Sequence, residues 1–589
     1  MSRPGEEIMI DPMGHPFGTL PPEAATAVDS AVARAVDERW AGRIWDRDAS
    51  VWSGDPAVQE VIAQRLGWLD APAQFGELAT ELEAFASALA GEGARGAVVL
   101  GMGGSSLAPL VITRALPRGP AGLAVHVLDS TAPDAVRAMA AAATPADTLY
   151  LVASKSGTTI ETLSLEAYFW RLEEEIYGAF PSDRPGEHFA AITDPGAGLE
   201  HFHHRDSYRT IFLNPPDVGG RYSALTYVGL VPAALHGADV RRLCADGLAM
   251  ADACREQGGA NPGLALGAAL GALARAGRDK LTLLIEPRFA PLGTWLEQLI
   301  AESTGKSGTG IVPVVDEPPT VPGRYGSDRA FVCLAAPDAD PAWLASIAGT
   351  LADLRAAGHP VLEVAIEHGL GGEFFRWEFA TAVAGATLGV DPFDEPNVTE
   401  SKENTRRLLE HHRLGRPAPA PAPLVSAGGL ALYGDEALRL AAGEATVAAT
   451  LRRHLARLLP TGYAGLLAFV APTPATDAGL AGLRSVLRDA TGRAVTAGYG
   501  PRFLHSTGQL HKGGPRTGWF LQLTADPAQD LAIPGARESF GALIEAQARG
   551  DFEALQAHEL PVLRIHLGRD VERGLAELRE ALTGALGAT

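Results

Sequence analysis

Two loops rich in glycine and hydroxyl side chains each follow an apolar, strand-like run in the first third of the chain. They are LGMGGSSL at 100–107 and SKSGTT at 154–159. Glycines let a backbone approach an anion closely, and N–H groups at the start of a helix point towards it. The second loop also carries four hydroxyl side chains: Ser154, Ser156, Thr158 and Thr159. Together the two loops predict a phosphate cradle.

Lysine is rare in this chain, which has five lysines against 44 arginines. Lys280 precedes an apolar run, and we expect it at a solvated strand edge. The other four lie in stretches rich in Gly, Ser and Thr: Lys155, Lys306, Lys402 and Lys512. Lysine is a compact point charge whose pKa can be shifted by burial. This distribution favours functional positions over chance retention.

The composition excludes several classes of protein. A net charge of −21 argues against a nucleic-acid surface and against binding to anionic lipid. The three cysteines form neither a disulfide framework nor a metal-ligand spacing, so we expect a reduced, cytoplasmic protein. The N-terminus lacks the basic and apolar regions of a signal peptide, and no uncharged apolar run reaches the ~18 residues that span a bilayer.

The order of apolar runs predicts the fold class. Residues 1–95 show mostly helical spacing, and short β-branched runs then alternate with helical stretches from residue 96 onwards. Such alternation is typical of βαβ units and parallel sheets. We therefore expect an α/β protein with two open, doubly wound, mainly parallel sheets and helical additions at both ends. In such sheets ligands bind outside the carboxyl ends of the strands, where both loops lie.

A dinucleotide site is an alternative for the first loop. Gly101 and Gly103 fit the start of a G-x-G-x-x-G motif, and Asp129 closes the next strand, where an acid could bind a ribose. However, Ser106 stands where the third glycine should be, and this weakens the nucleotide interpretation.

Six segments together resemble glucose-6-phosphate isomerase. They are GMGGSSL, SKSGTTIET, VGGRYSALTYVG (218–229), EQLIAESTGK (297–306), DPFDEPNVTESK (391–402) and LHSTGQ (504–509). The resemblance runs from about residue 90 to 570, and the chain closely resembles the isomerase half of the fused transaldolase–glucose-6-phosphate isomerases, here with no transaldolase portion. It implies two sugar-isomerase (SIS) domains of flavodoxin-like topology and a role in glycolysis and gluconeogenesis.

The resemblance also suggests domain boundaries. We expect five regions: a helical N-terminal region at 1–90, a first SIS domain at 91–245, a second at 246–415, a proline-rich connector at 416–424, and a segment at 425–589 that completes the second domain and the active site.

Roles for individual residues follow from the resemblance alone. The predicted catalytic residues are Glu302 as general base, Arg221 for negative charge on the enediol oxygens, and Lys402 and His505 for ring opening. The predicted substrate and phosphate site comprises Gly103, Gly104, Ser105, Ser154, Lys155, Ser156, Thr158, Thr159, Gly220, Gln298 and Glu395. Lys155 stands at the family's lysine beside the phosphate.

These residue types suit the implied chemistry. Aldose–ketose isomerisation moves a proton between C2 and C1 through a cis-enediol, so it needs one carboxylate that takes and returns a proton. It also needs a cation or donors beside the developing oxyanion, and an acid and a base that open the cyclic sugar. No step needs a metal or a redox cofactor, and we expect none. The segments HFHH (201–204) and His411–His412 resemble metal-binding histidine clusters, but they lack a carboxylate or Cys partner at helical spacing. We therefore expect these histidines to be solvated.

The chain departs from the family in two ways. Glu395 stands where the family usually has glutamine, seven residues before Lys402, and a carboxylate near an anionic substrate needs a neighbour that offsets it. The family's usual order is Glu, His, Lys, whereas here it is Glu302, Lys402, His505. The assignment of His505 therefore requires the C-terminal part of the chain to fold back onto the core.

Two other functions remain open at this stage. One is a neighbouring isomerase that also accepts mannose 6-phosphate, and the other is a non-catalytic sugar-phosphate sensor built from SIS domains. A sensor needs the phosphate loops but not Glu302, Arg221 and Lys402 together. The expected partner is a small-molecule sugar phosphate, without nucleic acid or membrane, and the family implies a homodimer.

Overall fold

The computed structural model describes residues 17–177, 185–414, 422–441 and 443–587. Its N-terminal part is helical, as expected from the helical spacing. It consists of α1 (Pro22–Asp37), α2 (Trp40–Trp45), α3 (Pro56–Ala63) and α4 (Ala71–Glu92). Buried side chains of these helices, such as Val28, Trp40 and Phe75, join the main hydrophobic core of the protein.

The first sheet follows directly. Its elements are β1 (Gly96–Gly101), α5 (Leu107–Ala115), β2 (Ala124–Leu128), α6 (Pro133–Ala142), β3 (Thr148–Ala153), α7 (Ile160–Tyr177), β4 (Phe189–Thr193) and β5 (Thr210–Leu213). The strands run parallel in the order β2, β1, β3, β4, β5. The central strands β1, β3 and β4 are almost wholly buried, which explains their continuous apolar sequences. Because β1 and β3 are neighbours, the loops that follow them open at the same edge.

A second sheet lies in the middle of the chain. The elements are α8 (Tyr227–His236), α9 (Val240–Ala253), α10 (Pro262–Arg275), β6 (Lys280–Ile285), α11 (Leu292–Thr304), β7 (Val312–Val314), β8 (Arg329–Ala335), α12 (Pro341–Ala356), β9 (Val361–Ala365), α13 (Gly369–Leu388) and α14 (Val398–Arg413). Its four strands run parallel in the order β7, β6, β8, β9.

Helices α10 and α13 pack closely in the core. Gly263, Gly267 and Gly271 recur at every fourth residue of α10, so they share one face. A side-chain carbon at Gly267 would lie 2.1 Å from the Ala380 carbonyl oxygen of α13, so only glycine permits this approach. Helix α13 leads directly into the loop that carries Glu395, and this packing therefore fixes the base of that loop.

The C-terminal part forms a third sheet. The elements are β10 (Val425–Ala427), β11 (Leu430–Tyr433), α15 (Val447–Leu455), β12 (Tyr463–Phe469), α16 (Pro474–Thr491), β13 (Ala494–Tyr499), α17 (Gly508–Gly513), β14 (Gly518–Thr524), α18 (Phe540–Ala557), β15 (Val562–His566) and α19 (Val571–Leu586). The strand order is β10, β11, β15, β14, β12, β13, with β10 and β11 antiparallel to their neighbours and the other strands parallel.

The α/β class with mainly parallel sheets is confirmed. In contrast, the C-terminal addition was expected to be helical, and the described residues contain three sheets rather than two. The third sheet is hard to predict from the sequence, because β10 and β11 are only three and four residues long and do not stand out as apolar runs. The domain boundaries remain predictions.

The third sheet lies beside the second. The buried Arg484 of α16 donates hydrogen bonds of 2.8 Å to the carbonyl oxygens of Val315 and Asp316, just after β7. Of the predicted proline-rich connector, residues 416–421 lie outside the described residues. Within the described ranges, every helix falls short of the length or the hydropathy that a bilayer span requires.

The prediction for Lys280 was wrong. Lys280 is 2% exposed at the start of β6, and its ammonium donates to Asp279 and to the Thr461 carbonyl oxygen. A second carboxylate, that of Asp328, lies 3.4 Å away. The strand begins inside the protein because the segment before β12 covers it, and the acidic neighbours stabilise the buried charge.

Candidate active site

A cleft of about 870 Å³ lies where the loops that follow β1 and β3 meet α11, α14 and the segment after β13. Twelve of the predicted site residues line it: Gly104, Ser105, Lys155, Ser156, Thr159, Gly220, Arg221, Gln298, Glu302, Glu395, Lys402 and His505. The fold therefore brings together residues that are up to 400 positions apart in the sequence.

The two hydroxyl-rich loops form one wall of the cleft. The Ser154 hydroxyl is buried and donates to the Thr159 hydroxyl at 3.1 Å, whereas Ser156 and Thr158 are exposed and share a hydrogen bond of 2.8 Å. Ser154 and Thr158 themselves do not line the cleft. Ser154 therefore orients Thr159, and the lining residues of this loop present hydroxyl groups to a ligand.

Glycines allow the loops around the cleft to touch. A side-chain carbon at Gly104 would lie 2.3 Å from the carbonyl carbon of Gly220, and one at Gly103 would lie 2.6 Å from the His505 carbonyl oxygen. Gly103 also has a φ of +51°, a conformation that favours glycine. The turn after β1 is thus packed against the segments that carry Arg221 and His505. Gly103 shapes the cleft from behind without lining it.

Lys155 reaches across the cleft wall. Its ammonium donates to the carboxylate of Asp194 and to the carbonyl oxygens of Pro216 and Val218, the last two at 3.1 and 2.9 Å. The lysine therefore ties its own loop to the segment before Arg221. Asp194 offsets its charge, and burial raises the pKa of the Asp194 carboxyl.

Arg221 is the best-fixed cation of the cleft. It is 3% exposed, and its Nε donates to the Ser303 hydroxyl at 2.7 Å. Nη2 donates to the carbonyl oxygens of Pro392 and Asp394, each at 2.8 Å. These bonds hold the rigid guanidinium fork in one orientation. Nη1 is left for the carboxylates in the cleft.

Helix α11 places two polar side chains one turn apart on the cleft face. Gln298 and Glu302 are both buried, and the Gln298 amide donates to Glu302 Oε2 at 2.9 Å. The same amide nitrogen lies 2.7 Å from the His505 carbonyl oxygen, to which it also donates. Gln298 therefore joins the predicted base to the displaced C-terminal segment within one chain.

Two carboxylates share one nitrogen of Arg221. Nη1 lies 3.3 Å from Glu302 Oε1 and 3.1 Å from Glu395 Oε2. Burial raises the pKa of Glu302 despite the guanidinium, and the Glu395 charge adds to this rise. Burial also acts to raise the pKa of Glu395, but Arg221 outweighs it, so the pKa of Glu395 lies below its ordinary value. Arg221 is thus the neighbour that offsets the unusual carboxylate.

His505 is paired with an acid that the sequence analysis did not select. Its Nε2 lies 2.9 Å from Oε1 of Glu161, a residue 5% exposed in the first turn of α7. Burial alone would raise the pKa of Glu161, but His505 and, to a lesser extent, Lys402 lower it below the ordinary value. A carboxylate that holds one ring nitrogen leaves the other, Nδ1, for a different partner.

Lys402 lies in the first half of α14 with its side chain exposed to the cleft. The helix is anchored to α18, because the Asn404 amide donates to the Gly550 carbonyl oxygen at 3.4 Å and Arg407 pairs with Glu553 at 2.6 Å. A side-chain carbon at Gly550 would lie 2.9 Å from the Thr405 hydroxyl, so the glycine permits this close contact.

Further residues of the site could not be selected from the sequence. Glu161 lies inside the quoted motif SKSGTTIET, and that position was the available signal. Gln547 of α18 also donates to Glu161, and Arg65 and Asp194 line the cleft from the N-terminal and first-sheet regions. Nothing in the local pattern of Gln547 or Arg65 marks them, because only the tertiary fold brings them here.

The other candidate features have structural partners. The alternative ribose acid, Asp129, is 4% exposed and accepts from Arg502 at 2.6 and 2.7 Å, so it links the first sheet to the third. His204 is not simply solvated as expected, because it stacks on Trp170 and bonds to the buried Glu166 at 2.7 Å. A larger surface groove of about 1310 Å³ runs beside these rings, but none of the predicted site residues lines it. The described residues include no group of three or more potential metal ligands.

Known proteins resemble this chain in sequence and in fold. A sequence profile of the family "Phosphoglucose isomerase" matches residues 73–314. Glucose-6-phosphate isomerase of Rubrobacter xylanophilus is 29% identical over 61% of this chain and 92% of its own length. A probable glucose-6-phosphate isomerase of Natronomonas pharaonis is 30% identical over 67% of this chain and 94% of its own length.

One solved structure shares the fold over a similar share of the chain. A hypothetical protein of Thermus thermophilus superposes with a TM-score of 0.53 at 24% identity, covering 66% of this chain and 99% of its own. The alignments with these three proteins cover 61%, 67% and 66% of this chain, and the rest of the chain has no counterpart in them.

Proposed function

The chain belongs to the glucose-6-phosphate isomerase family, and we propose that it interconverts D-glucose 6-phosphate and D-fructose 6-phosphate in the cleft described above. The observation that carries this proposal is the contact of Arg221 with Glu302 in a cleft whose lining also includes hydroxyl side chains, Lys155, Lys402 and His505. A base beside a fixed cation is the arrangement that proton transfer next to a carbonyl requires.

Proton transfer is the role of Glu302 in this mechanism. Its carboxylate removes the proton from C2 of the open-chain aldose and returns it to C1 of the cis-enediol, and the reverse reaction uses the same steps. A raised pKa suits this task, since a base poised near the working pH both accepts and returns a proton readily. The amide of Gln298 holds the other carboxylate oxygen and so fixes the direction of the base.

Arg221 stabilises the charge that develops on the enediol oxygens. Its guanidinium is held by Ser303 and two carbonyl oxygens, so no reorganisation is needed when negative charge forms. Its Nη1 faces the cleft beside Glu302, and Glu395 shares this nitrogen. We infer that Glu395 contacts sugar hydroxyls as an acceptor while Arg221 offsets its charge.

Ring opening is the role of His505, with Lys402 as the second group. Glu161 holds His505 at Nε2, so the proposal assigns Nδ1 to accept the proton of the anomeric hydroxyl. The ammonium of Lys402 donates a proton to the ring oxygen as the bond from that oxygen to the anomeric carbon breaks. Lys402 supplies a cation on the opposite helix, close enough to Glu161 to affect its pKa. His505 lines the cleft of its own chain, so the histidine does not have to come from a partner subunit. This supports the assignment of His505.

The phosphate binds, in this proposal, at the hydroxyl-rich wall. Ser105, Ser156 and Thr159 line it, and the start of α7 points backbone N–H groups towards the same space. Lys155 adds positive charge, which Asp194 partly offsets. A dianion would therefore be held mainly by hydroxyls and backbone groups, with the lysine at the side.

The alternatives differ in what they need from the cleft. A sensor needs the phosphate wall only, and the joint presence of Glu302, Arg221 and Lys402 in one cleft favours the enzyme. Use of mannose 6-phosphate remains open. A cytoplasmic location is supported by three buried free cysteines, Cys244, Cys254 and Cys333. The homodimer remains a prediction from the family.

A coupled assay tests the function directly. The purified protein is given fructose 6-phosphate, and the glucose 6-phosphate formed is oxidised by a specific dehydrogenase whose reduced cofactor is measured. We expect turnover without added metal. Binding of fructose 6-phosphate without any turnover would favour the sensor and contradict the enzyme.

A further inference from the structure

Helix α18 places one buried amide directly behind the predicted ring-opening pair. Gln547 is 1% exposed and lies in the first half of this helix. The helix belongs to the C-terminal unit, by which we mean the third sheet and its helices from β10 to α19. Its Nε2 donates to Oε1 of Glu161 at 2.8 Å. The residue does not line the cleft, so it can influence the sugar only through Glu161.

Two N–H donors converge on the same oxygen of Glu161. His505 Nε2 lies 2.9 Å from Oε1, and the Gln547 amide lies 2.8 Å from it. An oxygen that accepts two such donors is best stabilised when it is ionised, because each hydrogen bond favours the charged form of the acid. His505 must then carry its proton on Nε2, and Nδ1 faces the sugar as the free ring nitrogen.

Thr131 fixes the direction of the amide. Its hydroxyl is fully buried and donates to Gln547 Oε1 at 2.7 Å, so the amide nitrogen is turned towards Glu161. The titratable groups that face Glu161 are His505, from the segment after β13, and Lys402 of α14. The four side chains form one hydrogen-bonded series, in which Thr131 donates to Gln547 and both Gln547 and His505 donate to Glu161.

We propose that Gln547 is a positioning residue for ring opening, which holds Glu161 ionised and His505 in one tautomer. This inference rests on the proposed function. It also gives the C-terminal unit a task beyond carrying His505, since α18 supports the Lys402 helix at Gly550 as well.

The test compares two rates. Fructose 6-phosphate is mostly cyclic and needs ring opening, whereas 5-deoxyfructose 6-phosphate lacks the hydroxyl that closes the furanose ring. Exchange of the C1 hydrogen of this analogue with deuterated water, followed by NMR, reports proton transfer alone. Turnover of fructose 6-phosphate reports both steps.

For Q547M, which keeps the volume and removes both hydrogen bonds, we expect turnover of fructose 6-phosphate to fall roughly tenfold. Exchange on the open-chain analogue should stay unchanged. The pKa of Glu161 should rise when an N–H donor is lost, so the acidic limb of the turnover profile should move to higher pH.

Gln522 offers a matched control. It is fully buried and donates to the Ala548 carbonyl oxygen of the same helix at 2.9 Å, but it does not reach the cleft. Q522M should lose thermal stability much as Q547M does, and it should keep both rates and the pH profile. A second variant, Q547E, keeps the shape of the side chain. It should lose turnover as the pH rises, because a carboxyl group donates only while it is protonated.

The outcomes separate the two proposals. If the wild-type protein neither turns over fructose 6-phosphate nor exchanges the analogue, the proposed function fails. If the wild type does both and Q547M matches it, only the role of Gln547 is overturned. Equal losses of both rates in Q547M, or no pH dependence in Q547E, would reduce Gln547 to a structural residue and also overturn the inference.

Discussion

The two sides of the cleft are built differently. On the Glu302 side, Arg221, Glu302 and Glu395 touch one another directly through a single guanidinium nitrogen. On the His505 side, Glu161 and His505 come from different sheets, and Gln547 joins them from a third element. The arrangement of the first side depends on direct ion pairs. The arrangement of the second side depends on how the C-terminal unit packs against the first sheet and its helices.

This difference predicts how each side fails. A change at Glu302 or Arg221 alters the proton chemistry itself, whatever the shape of the protein. A change near His505 alters geometry, and it should affect substrates that need ring opening more than those that do not. The following tests examine this contrast, from the largest expected effect to the smallest.

Replacing Glu302 by Gln keeps the shape and removes the proton acceptor. We expect isomerisation and C2 hydrogen exchange to fall by about 10²–10⁴-fold while fructose 6-phosphate still binds, as measured by coupled assay, NMR and calorimetry. Glu297→Gln is the control, because Glu297 lies on the same helix but outside the cleft. Near-normal turnover of the Glu302 variant would remove the base from the mechanism.

Replacing His505 by Ala tests the other side. We expect turnover of fructose 6-phosphate to fall about a hundredfold, in the range of one acid–base group, with little change in hydrogen exchange on 5-deoxyfructose 6-phosphate. His511→Asn is the matched control, since His511 is buried in the following helix and faces Phe520 rather than the cleft. If both rates of the His505 variant fell together, the two sides would not be separable as described.

The phosphate wall should serve both sides alike. The double variant S154A/T159A removes the Thr159 hydroxyl that lines the cleft and the Ser154 hydroxyl that orients it, and a charge-assisted hydrogen bond is worth about 1.5–3 kcal/mol. We expect binding of sugar phosphates, measured by calorimetry, to weaken at least tenfold for cyclic and open-chain ligands equally. Unphosphorylated glucose should bind poorly to the variant and to the wild type. Unchanged phosphate affinity would place the anion elsewhere.

Replacing Glu395 by Gln restores the usual family residue and should have the smallest effect. Without the neighbouring anion, and with Arg221 left to Glu302 alone, the pKa of Glu302 should fall. Glu302 acts as a carboxylate, so the acidic limb of hydrogen exchange should move to lower pH, by about one unit or less, with the maximal rate little changed. Asp217→Asn, at the same cleft but away from Arg221, should leave the profile in place. A shift to higher pH would contradict the shared-nitrogen arrangement.

The sequence predicted the Glu302 side better than the His505 side, for a physical reason. Gln298 and Glu302 lie one turn apart on the same helix, so local spacing already determines that they face the same space. Glu161 and Gln547 are joined only by the packing of α18 against the first sheet, which no local pattern encodes.

Charged residues outside the cleft show the same limit. The scarcity of lysine drew attention to Lys155 and Lys402, and both of these residues line the cleft. The same reasoning could not distinguish Lys512, which is buried in an ion pair with Asp551, and it misjudged Lys280. An ion pair is buried only when segments distant in the sequence cover it, so amino-acid composition cannot predict which lysines are buried in this way.

The position of His505 about 200 residues after Glu302 has a consequence for protein synthesis. A ribosome completes the phosphate loops, Arg221 and Glu302 long before it reaches the third sheet, and N-terminal units generally fold first as they emerge. The nascent chain thus acquires the anion site and the base some 200 residues before the histidine. Ring opening, as proposed here, also requires α18, which follows His505 in the chain, so the groups proposed to transfer the proton are synthesised before the groups proposed to open the ring are complete.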